Sequence, residues 1–147
     1  MRKLCLFTAT ALLVASPVFA NETRDAVARA NADYEEALKI KTSPQTTGEY
    51  LSCSALWGKW ALWLDSVSDK KELEKLRPEL SAKIAKERKN LWYDKASEEI
   101  LIVDQYGPLE LQKRTQRAEK DAEKVYQNWI NLASEERFSL PNRIATC

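Results

Sequence analysis

The chain has 147 residues, with 23 Lys and Arg against 22 Asp and Glu, three cysteines, three glycines and no histidine. Without histidine there can be no Ser-His or Cys-His catalytic pair, no histidine-bound zinc and no histidine-ligated haem. A near-neutral charge asks for no polyanionic partner, so nucleic acid is not expected.

The N-terminus reads as an export signal. Arg2 and Lys3 precede an apolar run from Leu4 to Val14, and Val18-Phe19-Ala20 supplies small residues at a cleavage position. The run is shorter than the ~20 residues a membrane span needs. Residues 1–20 are therefore expected to be a signal peptide and 21–147 one exported domain, periplasmic or secreted, with no stable membrane insertion after cleavage. Losing Arg2 and Lys3 leaves 21 basic against 22 acidic residues, a formal charge of −1. Losing Cys5 leaves Cys53 and Cys147 as a pair in an oxidising compartment, where a disulfide is expected to tie the tail to the middle of the chain.

In chain order, the first predicted helix covers 22–41, with Val27, Ala30, Tyr34 and Leu38 as its apolar stripe. Pro44 and the surrounding Thr and Gly residues end it. The second covers 48–66. At about 100° per residue, Trp57, Trp60 and Trp63 share an arc with Tyr50, Cys53, Leu56, Leu64 and Val67, and Lys59 and Asp65 are the clear charges elsewhere. A helix so apolar belongs at the centre of a bundle. The preferred reading of Trp57, Trp60 and Trp63 is core packing; partial exposure in a groove that binds a small apolar or sugar ligand, or a partner's side chain, stays open.

Beyond 66, a short helix and then a long one are expected, with Pro78 at the first turn of the long one. The stripe Leu73, Leu76, Leu80, Ile84 resumes out of phase at Leu91, Trp92, Ala96, Ile100 and Val103, implying a local packing adjustment. Gly107 and Pro108 then stop one helix and open the next. That last long helix, 109–133, carries a seam of Leu111, Thr115, Ala118, Ala122, Val125, Trp129 and Leu132. Pro141 is expected to end helical structure near the tail. With strand signals nearly absent, the fold expected is all-α: a compact antiparallel bundle of about four main helices. A weaker spacing, in which Leu56-Trp57, Leu91-Trp92 and Val125-Tyr126 recur every 34–35 residues, hints at helical-hairpin repeats.

No phosphate-binding glycine loop, dinucleotide fingerprint or acidic calcium loop occurs, so no cofactor and no metal is expected. The doublets Glu35-Glu36, Glu98-Glu99 and Glu135-Glu136 are the nearest thing to paired catalytic carboxylates, yet adjacent helical residues diverge by about 100°. Lys59 beside the tryptophan face can extend its ammonium to water. No catalytic residue is assigned. Lys113, Arg117, Lys120 and Lys124 form one basic ridge opposite the apolar seam, either a solvated outer face or a partner contact. The functional expectation is a non-catalytic binding or accessory protein of the cell envelope, meeting an envelope protein or a small apolar or sugar ligand. An inhibitor or immunity-type protein is one form of it; a carboxylate-dependent envelope hydrolase and a helical-repeat adaptor are the alternatives.

Overall fold

A computed structural model describes residues 17–40, 42–132 and 139–147, and for 17–21 the backbone alone. The expected signal peptide thus lies outside the described residues except for the backbone of 17–20, and Glu135-Glu136 lies outside them altogether. Helix α1 spans Pro17–Leu38, α2 Thr47–Ser66, α3 Lys70–Leu73, α4 Ala82–Glu98, α5 Pro108–Ile130 and α6 Leu140–Ala145. A 3-10 turn, Pro78–Leu80, precedes α4 and a π-helical turn, Glu99–Val103, extends it. No strand occurs among the described residues.

Local chemistry sets the helix starts. Thr46 and Glu49 form a reciprocal cap on α2: the Thr46 hydroxyl accepts from the Glu49 amide at 3.3 Å, and the Glu49 carboxylate accepts from the Thr46 amide at 2.8 Å. Ser81 caps α4 and Asp69 caps α3 one way only, each side chain accepting from amides of the first turn. At the start of α5, Pro108 occupies a first-turn position, where its missing N–H costs nothing.

Helix α2 is the centre of the helical bundle. Its most extensive contact is with α4, its second with α5, and it also touches α6. The α2–α4 pair runs antiparallel, since Thr47 donates to Glu99 at 2.8 Å, Tyr50 stacks on Trp92 at 5.6 Å and Ser54 donates to the Lys89 carbonyl at 2.9 Å. Alongside α5 the direction is shared, with Lys59 ion-paired to Glu123 and Trp63 against Trp129. Helix α1 packs chiefly on α6, while its Asn31 side chain bonds the Lys75 carbonyl and the Arg77 amide, both at 2.9 Å, which fixes the α3 corner.

The tail is tied back as its cysteines imply. Cys53 and Cys147, 94 positions apart, are bonded with their Cα atoms 5.6 Å apart. Between Ser139 and the bond, Leu140, Pro141, Asn142 and Ile144 are buried.

Several expectations need correction. Ala37, not Leu38, completes the buried stripe of α1, because 27, 30, 34 and 37 keep the helical angle while Leu38 has rotated outward. Pro141 does not end helical structure; it sits in the first turn of α6, where a proline is tolerated. The α5 seam ends at Trp129, since the helix stops at Ile130 and Leu132 takes the left-handed conformation, φ 57°, facing outward. The out-of-phase stripe is resolved by the π-turn, which buries Ile100 but turns Val103 to the surface, and Leu91 is likewise exposed. The 34–35-residue spacing does not generate stacked hairpins, because α2 is wrapped by its neighbours instead of lying in a row with them.

Candidate functional site

Trp57, Trp60 and Trp63 are all buried, and Trp60 is completely so. Three steps apart on one helix, Trp60 and Trp63 stack at 4.7 Å between ring centroids. Trp129 of α5 closes the cluster edge-on, 5.5 Å from Trp60 and 4.9 Å from Trp63. The Trp60 indole donates to the Leu80 carbonyl at 2.9 Å, locking the 3-10 turn against the central helix. These rings are the core of the bundle, where edge-to-face contacts add to the area they bury. Of the three sequence candidates, Trp63 lines a surface depression.

That depression is a groove of about 460 Å³ between the start of α1 and the ends of α2 and α5. Trp63, Val67, Trp129, Ile130 and Leu132 give it an apolar wall, and Arg29 reaches across with its guanidinium 5.5 Å from the Trp129 ring centroid. Glu22 and Asp25 stand at its mouth. Arg29 and Trp129 were not assigned as site residues from the sequence, because their meeting depends on how α1 crosses α5.

The basic ridge is at the surface: Lys113, Arg117, Lys120 and Lys124 are all exposed. Lys124 is held by Asp121 at 2.9 Å, whereas Lys113, Arg117 and Lys120 have no ion-pair partner among the described residues. Lys113 and Arg117, with Arg114, line a hollow of about 560 Å³ against Gly48, Leu51 and Ser52 of α2. Arg114 is occupied by Glu110 at 2.8 Å and lies over Tyr106; that hydrogen bond holds the Glu110 carboxyl below its ordinary value.

One turn before Lys113, the helices end in an apolar tip that sequence reasoning passed over. In the π-turn the Asp104 amide reaches back to the Glu99 carbonyl at 2.8 Å, and the Tyr106 amide to that of Ile100 at 2.9 Å. Gln105 takes the left-handed conformation, φ 56°, to complete the reversal. The wide turn leaves Ile102 and Val103 each 69% exposed and Leu109 63%, with Leu101 and Tyr106 beside them. The run Ile100 to Val103 is a visible signal in the sequence, but only the π-turn geometry tells which of its members face out.

The carboxylate doublets do not converge. Glu35 lies 3.5 Å from Arg77, Glu36 pairs with Lys39, and Glu99 accepts from Thr47 while Glu98 is exposed. Among the described residues, no three of the Asp, Glu and Cys side chains gather as a metal site would require, and no helix is long and apolar enough to cross a membrane. No protein-family model, curated protein or solved structure matches this chain.

Proposed function

We propose that this is an exported, non-catalytic binding protein of the cell envelope, which meets a partner protein through the α4–α5 tip and the basic flank of α5. The observation that carries this reading is the tip itself. Five large apolar side chains, Leu101, Ile102, Val103, Tyr106 and Leu109, are held at the surface by a turn with its own hydrogen bonds. Monomeric proteins seldom spend apolar surface in this way unless it is to be covered. Lys113 and Arg117 are exposed further along α5, and Glu98 and Asp104 are exposed next to the turn, Glu98 lining a shallow hollow with Val103. A rim of both signs suits a protein surface better than an anionic bilayer, which asks for a largely basic border. Export is supported by the basic-apolar-small pattern of residues 1–20 together with the disulfide.

The test places a photo-reactive amino acid at Val103 and, as a control, at the exposed Lys83 of α4, in cells making the protein. The expected result is one discrete crosslinked protein from position 103, abolished by I102D and L109D together, and none from position 83. Equal, diffuse labelling from both positions refutes the reading.

A further inference from the structure

We propose that the groove between α1, α2 and α5 binds a small amphiphile with a carboxylate head and an apolar body, the head on Arg29 and the body along Trp63, Val67, Ile130 and Leu132. Three observations independent of the tip lead there. The first is a pair of donors, Arg29 Nε and Trp129 Nε1, both buried with no hydrogen-bond partner among the described residues, on two residues that line the groove. Trp129 is only 1% exposed. Buried N–H groups without acceptors are uncommon and unfavourable, and a group offering acceptor oxygens alone would satisfy these two once a small side-chain shift opened them to the groove. A carboxylate is such a group, and it pairs with a guanidinium by strong, charge-assisted hydrogen bonds.

The second is the state of Arg29. Its guanidinium has an aromatic face beneath it but no carboxylate partner among the described residues, although Asp25 stands four residues earlier on the same helix; Asp25 lies 3.8 Å from Arg24 instead. The third is Leu132. It occupies the position just past the α5 end, where glycine is the usual residue because the conformation is left-handed, and at φ 57° a leucine is strained there. Its side chain is 68% exposed, so the strain brings no burial within the fold. What it does is add an apolar wall to the groove. At about 460 Å³ the groove is within the ~300–1,000 Å³ typical of small-ligand sites.

The probe is decanoate, titrated into the purified protein below its micellar range and followed by tryptophan emission and calorimetry, with decanol as the neutral control. Saturable decanoate binding is expected, weakened at least tenfold by R29Q, with decanol binding weaker and indifferent to that change. E22Q with D25N should tighten decanoate binding by relieving repulsion at the mouth. L132G should weaken binding while raising the melting temperature of the free protein by a few degrees. Absence of saturable binding, equal affinity of wild type and R29Q, or weaker binding by the E22Q–D25N variant would each overturn the proposal, the last by showing that the mouth selects a cation. Crosslinking at the tip is unaffected by any of these outcomes.

Discussion

Removing the disulfide, by C53A with C147A, gives the most quantitative prediction. The bond closes a loop of 94 positions, and for a loop of that length the loss of freedom in the unfolded chain is worth about 4.7 kcal/mol at 25 °C. The folded state should change little. Helix α6 keeps its own anchorage through Leu140, Pro141 and Ile144, all buried, and through the Asn142 side chain, which donates to the Asp33 carbonyl at 3.5 Å. The cost therefore falls on the unfolded side: a loss of about 3–5 kcal/mol, or roughly 10–20 °C in melting temperature for a domain of this size. Thermal and urea unfolding measure the loss, and trypsin at the exposed Arg143 reports on the tail. Native-condition cleavage at Arg143 should stay slow in the variant. A melting temperature within about 3 °C of wild type would refute the argument, as the chain-entropy effect would then be missing. Rapid cleavage at Arg143 with the rest of the fold intact would refute it differently, by showing that the bond alone holds α6 down.

Three further predictions concern the core, a cap and acid. Trp60→Phe leaves the Leu80 carbonyl buried without its donor and shortens the central ring of the cluster; a loss of about 2–4 kcal/mol in urea unfolding is expected, and a loss below about 1 kcal/mol would mean the indole bond contributes nothing. Thr46→Ala opens the reciprocal cap of α2 and should cost about 1 kcal/mol without altering the far-ultraviolet circular dichroism. Hydrogen bonds from Lys59 and then Gln127 hold the Glu123 carboxyl below its ordinary value of 4.5, and the amides of Gln45 and Thr46 do the same for Glu49. Carboxyls depressed on folding contribute stability above their unfolded value and lose it as pH falls through the folded one, so stability should decline below about pH 4.5. E123Q should flatten that decline, and an unchanged profile would remove Glu123 from the account.

The sequence conveyed most where a single residue type had one physical use. Tryptophans at three-residue steps on an almost uncharged helix read best as core, and Cys53 and Cys147 are the only cysteines beyond residues 1–20. The starts of α2 and α5 were each read one residue late, at 48 and 109, with Gly107 and Pro108 marking the second; the Thr46–Glu49 cap was not read. Periodicity was less dependable at helix ends, where a stripe can rotate by one residue: Leu38 reads as core, and Ala37 fills the place. Pro141 is ambiguous in principle, as proline both ends helices and begins them. The two surface features were hidden for different reasons. The tip depends on a π-turn, whose extra residue per turn cannot be told from an α-helix by hydrophobic spacing. The groove depends on three helix ends meeting, so Arg29 and Trp129, 100 residues apart in sequence, share no local pattern.

Because α2 sits against α4, α5 and α6 and carries one end of the covalent cross-link, it has no route to fraying that leaves its neighbours in place. Its interior amides should accordingly exchange with deuterium only when the entire molecule opens, whereas those of α3 and the π-turn exchange through small local excursions. The slowest protons of residues 53–64 would then serve as a built-in gauge of the global unfolding free energy.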